Sequence, residues 1–281
     1  MHKNTKPTAL VTGASSGFGL LTAITLAQKG FQVIASMRDL GKKDQLLERA
    51  KQAGVQSELD VVALDVTKHD SIEQAVSAII SKYGRIDVLI NNAGFAVGGY
   101  VEDVPMHAWR AQLETNVFGS IAASQAVLPH MRKQQSGCIV NVSSVSGLSA
   151  FPGYAPYSTS KFAIEGFSES LRLEMKPFGV RVVLVEPGAY NTDIWRKGFE
   201  SIHTTEESPY WLRLSKMLDY SHKVSASAPD PQEVADKIAW IVDNPRPKLR
   251  YAIGRGVKAG LWARQLLPWK WYEGVLTRLL K

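Results

Sequence analysis

The sequence predicts an α/β protein: one doubly wound domain with a seven-stranded parallel sheet, helices on both faces, and a helical extension at its C-terminal end. Three observations carry this expectation. Short apolar runs alternate with helical patterns along the chain. The first run feeds a glycine-rich turn that opens a helix, and several later runs end in polar side chains, as strands do around a ligand crevice. With 281 residues, 45% of them hydrophobic, the chain can bury a substantial core. No internal repeat or low-complexity segment divides it, so residues 1–281 are read as a single domain.

Strands are expected near 8–12, 31–36, 61–65, 86–90, 138–143, 180–185 and 249–253, with helices between them. The first, Thr8-Ala9-Leu10-Val11, runs into Thr12-Gly13-Ala14-Ser15-Ser16-Gly17-Phe18-Gly19 before a helical pattern through Lys29. Glycines there let the backbone turn tightly and approach a pyrophosphate, while the helix N-terminus directs free N–H groups and a positive dipole end toward it. An ordinary glycine turn is the alternative. A strand before and a helix after favour the dinucleotide.

Two further apolar runs end in groups suited to the same ligand: Val61 to Leu64 in Asp65-Val66, and Ile86 to Ile90 in Asn91-Asn92-Ala93-Gly94. Farther on, Tyr157-Ser158-Thr159-Ser160-Lys161 places a phenol and an ammonium at i and i+4, which a helix brings together on one face. A tyrosine has an ordinary pKa of about 10, and a fixed cation beside it favours the phenolate. By itself the pair could be two residues of a solvated helical face. Its company decides otherwise.

TGxxxGxG, NNAG and YxxxK, in this order and at these separations, resemble the short-chain dehydrogenase/reductase family over nearly all of residues 8–255. The resemblance implies a Rossmann-like fold and a nicotinamide cofactor. It implies a catalytic set of Asn116, Ser144, Tyr157 and Lys161: Asn116 bends the central helix and holds a water, Ser144 orients the substrate, Tyr157 exchanges the proton, and Lys161 lowers the tyrosine's pKa and binds ribose. Ser144 is preferred to Ser143 because it precedes Tyr157 by the family's usual interval; the neighbouring serine can then cap the loop. The implied cofactor contacts are Gly13, Ser15, Ser16, Gly17, Phe18, Gly19, Arg38, Asp65, Val66, Asn92, Ala93, Gly94, Tyr157, Lys161, Pro187, Gly188 and Thr192. Among them Asp65 meets the adenine amine, Asn92 the adenosine side, and Pro187-Gly188 with Thr192 the nicotinamide.

The end of the second strand bears on cofactor preference. A carboxylate there would accept the ribose hydroxyls of NAD, whereas an arginine would pair with the 2′-phosphate of NADP. Met37 stands where NAD-preferring relatives resemble one another in having Asp, and Arg38 follows. NADP(H) is therefore favoured over NAD(H), although Ser16 is not the basic residue many NADP-dependent relatives carry before the second glycine.

Residues 189–230 are where the family's substrate lid lies. They include Tyr190, Trp195, Phe199, Tyr210, Trp211, Leu212, Leu214, Met217, Leu218 and Tyr220, which suit a bulky apolar alcohol or ketone; the alternative is that they are simply core. The pattern most resembles the branch containing 17β-hydroxysteroid and retinol dehydrogenases. A non-catalytic dinucleotide-binding redox sensor is the alternative, but it has no need of the full catalytic set.

The net charge of +7 is unevenly spread. Residues 244–281 hold nine Lys and Arg against Glu273 alone, a surplus of +8, so the rest of the chain stands at −1. The extension at 256–281 also holds Trp262, Trp269 and Trp271, and Pro268 divides it into two amphipathic pieces. Two readings follow: the apolar face packs beside the substrate pocket, or it makes weak contact with a membrane surface. The first is preferred because apolar residues need cover. No motif accompanies these charges for reading nucleic acid, and the six histidines show no metal-ligand spacing. One cysteine, Cys138, excludes an internal disulfide. The N-terminal residues lack the apolar run of a signal peptide, so a cytoplasmic protein is expected, peripheral to a membrane if the second reading of the extension holds. Family members form homo-oligomers through the helices that carry Asn116 and Tyr157; two readings stay open here, that the chain does the same or that its apolar C-terminal extension obstructs or replaces such contacts.

Overall fold

The computed structural model describes residues 6–192, 198, 202–226 and 228–279. Nine strands are described: β1 (Thr8–Val11), β2 (Gln32–Met37), β3 (Leu59–Ala63), β4 (Val88–Asn91), β5 (Gly98–Gly99), β6 (Gly137–Val142), β7 (Val180–Pro187), β8 (Ile202–His203) and β9 (Arg250–Ile253). Seven of them form one parallel sheet in the order β3-β2-β1-β4-β6-β7-β9, and β5 pairs with β8 separately. The seven predicted strands are all present, with boundaries shifted by no more than two residues. The largest shifts come at β3, β4 and β7, where the apolar pattern runs past the hydrogen-bonded register or stops short of it.

Period-two alternation sorts the strand side chains onto two cores. Ala9, Val11, Val33, Ala35, Val88 and Ile90 face one layer. There they meet α1 (Gly17–Gln28), α2 (Asp44–Gln52) and α8 (Gln232–Asp243), through Leu20, Leu26, Leu46, Val234 and Ile238. Leu10, Ile34, Leu89 and Ile139 face the other, against α3 (His69–Tyr83), α5 (Gly119–Gln134) and α6 (Ala155–Met175). Both faces of the sheet are covered, which is why its central strands read as unbroken apolar runs. Each fully buried Leu or Ile contributes on the order of 1.5–3 kcal/mol of transfer free energy.

The chain leaves β1 toward β2 and β3 on one side and resumes with β4 and β6 on the other. A crevice therefore opens at the C-terminal ends of β1 and β4. α4 (Met106–Leu113) runs into α5 through a π-helical stretch, Glu114–Phe118, the bend expected at Asn116. α6 starts with Pro156 in its first turn, where a missing N–H costs nothing, and it carries both Tyr157 and Lys161.

Two expectations for the C-terminal third are corrected. Tyr190, assigned to the lid, is 1% exposed in the first core: it packs edge-on against Phe18 at 5.7 Å and donates to Glu233 at 2.8 Å. Of the other lid residues, Leu214 and Met217 on α7 (Trp211–Ala226) are buried against Gly153, Leu212 is exposed, and Tyr210 stacks on Tyr100 at 4.6 Å. Trp195, Phe199 and the Tyr220 side chain lie outside the described residues. The extension does form two helices either side of Pro268, α9 (Val257–Leu266) and α10 (Trp269–Leu279). Four of its large apolar side chains are not covered: Trp262, Leu266, Trp269 and Trp271 are each more than 60% exposed.

Candidate active site

At the crevice lies a groove of about 530 Å³. Its floor is the glycine turn. Gly13 and Gly17 adopt φ of +66° and +57°, the left-handed region that other residues enter only with strain. Gly19 is needed for a different reason, since a Cβ there would sit 2.4 Å from both Asn92 Nδ2 and Gly13 O. The turn is tied to the end of β4: Thr12 Oγ1 donates to Ile90 O at 3.2 Å and accepts from Asn92 N at 3.0 Å and Ala93 N at 3.1 Å. Asn92 Nδ2 donates to the Thr12 and Gly13 carbonyls, each at 3.0 Å. Asn92 thus lines the groove, but its amide braces the glycine turn rather than standing free for adenosine.

Of the residues expected to hold a cofactor, Gly13, Ser15, Ser16, Gly17, Phe18, Arg38, Asp65, Val66, Asn92, Ala93, Gly94, Tyr157, Lys161 and Thr192 line this groove. Gly19 sits under it. Pro187 and Gly188 do not line it; they complete β7 and its exit, where Gly188 N bonds Ile253 O at 2.8 Å. The lining also includes Met37, Asp39, Lys42, Thr67 and Ser143, which the sequence reading missed as site residues. Lys42 follows Arg38 by four positions in a basic stretch, and that was the available signal. Burial pushes the Asp65 carboxyl up, but hydrogen bonds from the Thr67 hydroxyl and N–H, with Arg38 nearby, outweigh it and leave Asp65 below its ordinary value.

The far end gathers the expected catalytic residues. Asn116 Oδ1 accepts from Phe95 N at 3.1 Å, and its Nδ2 donates to Phe95 O at 3.0 Å and Ser160 Oγ at 3.1 Å. The asparagine therefore pins the π-helical bend to α6. Ser144 caps the turn Val145–Gly147, accepting from Ser146 N at 3.1 Å, and its hydroxyl donates to Pro187 O at 3.5 Å. The cap expected of the neighbouring serine thus falls to Ser144. Ser143 Oγ is buried with no hydrogen-bond partner among the described residues.

The electrostatics differ from the expectation that Lys161 lowers the tyrosine. Burial pushes the Tyr157 phenol up to about 12, with the Ser144 hydroxyl acting in the opposite direction. The Lys161 ammonium lies 5.6 Å from the Tyr157 ring centroid and donates to Val142 O at 2.8 Å. Its own pKa is lowered to about 8 by burial, against the pull of Glu165 one turn along α6. Among the protein's own atoms the phenol is held protonated.

Beneath Lys161 lies a cluster no sequence motif announced. Arg250 Nε meets Glu165 Oε2 at 3.0 Å and Glu186 Oε1 at 3.2 Å, and another Arg250 nitrogen reaches Glu169 Oε1 at 2.5 Å. The Glu186 side chain is 1% exposed. Burial, and then the Glu165 carboxylate beside it, push Glu186 up to about 8, although Arg250 opposes them.

Comparison with known proteins bears directly on this arrangement. The family model described as short chain dehydrogenase matches residues 7–202, well over half of the chain. The chain belongs to the short-chain dehydrogenase/reductase family. It is 47% identical over 278 residues to the uncharacterized oxidoreductase YusZ of Bacillus subtilis, covering 98% of this chain and 99% of that protein. It is 38% identical to the 3-ketodihydrosphingosine reductase of Bacteroides thetaiotaomicron, over 87% of each. It is also 38% identical to human retinol dehydrogenase 8, over 86% of this chain and 80% of the relative. The crystal structure of a short-chain dehydrogenase from Streptomyces avermitilis superposes with a TM-score of 0.82 at 32% identity, covering 98% and 96%. A serine dehydrogenase complexed with NADP+ superposes at 0.75 and 26% identity, covering 88% and 94%. This is an oxidoreductase acting on CH–OH or carbonyl groups with a nicotinamide dinucleotide.

Proposed function

We propose that the protein is an NADP(H)-dependent oxidoreductase that interconverts a bulky apolar ketone or aldehyde and its alcohol, with Tyr157 as the general acid and base. The observation carrying this reading is one groove with two chemically distinct ends: Arg38 and Lys42 at one, Tyr157 and Lys161 at the other.

The donor set suits the cofactor. α1 begins at Ser16 with no side-chain cap and no acidic residue in its first turn, so its N–H groups and dipole are free to meet a pyrophosphate. Arg38 and Lys42 supply cations for a 2′-phosphate, and Met37 offers no carboxylate to repel it. Bound there, the nicotinamide supplies or accepts the hydride. The chain's own residues do the rest. In the reducing direction, Tyr157 Oη gives its proton to the carbonyl oxygen while the Ser144 hydroxyl holds that oxygen by a hydrogen bond. The raised pKa of the phenol keeps the proton available at neutral pH. Lys161, fixed on Val142 O, contributes its positive charge beside the reacting oxygen and stays protonated below about pH 8. Asn116 holds the geometry of α6 from the π-helical bend.

Apolar substrates are supported by relatives named for a ketosphingoid base and a retinol. A homo-oligomer is supported by Phe118, Phe162 and Leu173, which expose apolar surface on the two helices concerned; light scattering on purified protein tests it.

The test is nicotinamide absorbance with NADPH and NADH in parallel, across ketosteroids, retinal, long-chain ketones and aromatic aldehydes. Tyr157→Phe is expected to lose roughly 10²- to 10⁴-fold in kcat with cofactor binding retained. Arg38→Ala should reduce the NADPH-over-NADH preference roughly ten- to a hundredfold, the worth of a charge-assisted hydrogen bond. Full turnover in Tyr157→Phe would remove the mechanism. Tight NADPH binding with no turnover on any compound would favour the redox sensor.

A further inference from the structure

We propose that α9 and α10 dock the protein on an anionic lipid surface, with the loop that follows Ser144 held next to the bilayer. Three observations carry this beyond the oxidoreductase chemistry. The first is apolar exposure. Trp262 and Leu266 lie one turn apart on α9, and Trp269, Trp271 and Val275 follow on α10. Trp262, Leu266, Trp269 and Trp271 are between 64% and 77% exposed, so a short stretch of chain presents more uncovered aromatic surface than an isolated surface residue explains.

The second is charge. The same stretch carries Arg255, Lys258, Arg264, Lys270 and Arg278 against Glu273, and among the described residues none of these five cations is in an ion pair. Arg250, just before it, is tied to three carboxylates. Indoles favour the headgroup level of a bilayer, and unpaired cations favour anionic lipid. Neither helix is long and apolar enough to cross a membrane, so the geometry is that of helices lying in the interface. A second copy of the chain is the weaker occupant, because a two-fold contact through this face would bring together two copies of a stretch that carries five cations against one carboxylate.

The third observation is attachment. Tyr272 Oη and Ser149 Oγ are 2.7 Å apart, and Ser149 lies just past the turn capped by Ser144. Val257, at the start of α9, packs over Gly188 so closely that a Cβ there would come within 2.6 Å of its Cγ2. The exposed face is thereby fixed beside the end of the groove that holds Tyr157. If the substrate is apolar, as proposed above, the docked face sets the site where such a molecule is dissolved. The docking itself does not depend on that reading.

Co-sedimentation with vesicles, monitored also by tryptophan emission, tests the proposal without any substrate. The intact protein at low salt should pellet with equal parts phosphatidylcholine and phosphatidylglycerol, shift its emission to the blue, and stay in solution with phosphatidylcholine alone. Lys258→Gln with Lys270→Gln should weaken binding roughly 30-fold, each cation near an anionic surface being worth about fivefold. Trp262→Ala with Trp269→Ala and Trp271→Ala should abolish it. An unchanged melting temperature and unchanged NADPH binding would show that each variant is folded. Failure to bind anionic vesicles at low salt overturns the proposal, as does binding indifferent to the tryptophans. A dimer that the same substitutions convert to monomer, with no vesicle binding, would assign the face to a second copy instead.

Discussion

Arg250→Ala tests whether the carboxyl cluster under Lys161 is held by electrostatics. The substitution removes the only cation within ion-pair distance of Glu165, Glu169 and Glu186 among the described residues. Glu169 is 54% exposed and water replaces its partner, so its loss contributes little. Glu165 and Glu186 are 7% and 1% exposed, and they bear the effect. Breaking a buried pair costs about 3–5 kcal/mol; because Arg250 itself is 32% exposed, the lower end, about 3 kcal/mol, applies. For a chain of 281 residues that corresponds to a fall in melting temperature of roughly 5 °C.

The pH dependence is more diagnostic than the size. Glu186 stands at about 8 in the fold against an ordinary 4.5. A carboxyl raised in this way holds its proton in the folded state, so its contribution is fully present below the ordinary value and is lost as pH rises through about 8. Without Arg250 the carboxyl is harder still to ionise, so the deficit of the variant should be smaller near pH 5.5, where the loss of the Glu165 pair remains, and largest near pH 9. Adding Glu186→Gln to Arg250→Ala should recover most of the loss at the higher pH, since it removes the uncompensated charge. Thermal melts followed by circular dichroism at both pH values decide it. Equal deficits at the two, or none near pH 9, would refute the reasoning.

Glu165→Gln removes the one charge that raises the Lys161 pKa against burial, so the alkaline limb of kcat/KM for reduction should move to lower pH; an unmoved limb would separate Glu165 from the site. Gly19→Ala inserts a Cβ into Asn92 Nδ2 and Gly13 O, and should destabilise the fold by roughly 1–3 kcal/mol and weaken NADPH binding about tenfold or more, as read by melting and fluorescence titration. Asn91→Ala leaves Asn141 Oδ1 and Ser124 Oγ without the buried amide that now meets them at 2.8 and 3.0 Å, and should cost on the order of 1–3 kcal/mol in chemical denaturation; wild-type stability would mean the polar cluster between β4, β6 and α5 is rearranged without loss.

Local order in the chain determined much of this protein. Apolar runs bounded by turn residues specify strands because a parallel sheet buries both faces, and the glycines of the first turn announce themselves because a Cβ would clash at Gly13 and Gly19 and strain the left-handed backbone at Gly17. Tyr157 and Lys161 are legible together because one helix carries both. What only the tertiary structure decided is every relation set by distance through space. Glu165, Glu186 and Arg250 come from α6, β7 and β9, and nothing in their separations reveals that one guanidinium joins two buried carboxyls. Lys42 joins Arg38 at the groove only because the chain turns after β2. Tyr190 reads as a lid aromatic until its ring is found against Phe18, and the tryptophans of the extension read as core until nothing covers them. Tyr157's pKa belongs to this class as well: a cation one turn away predicts a lowered value, but burial, which no spacing records, raises it.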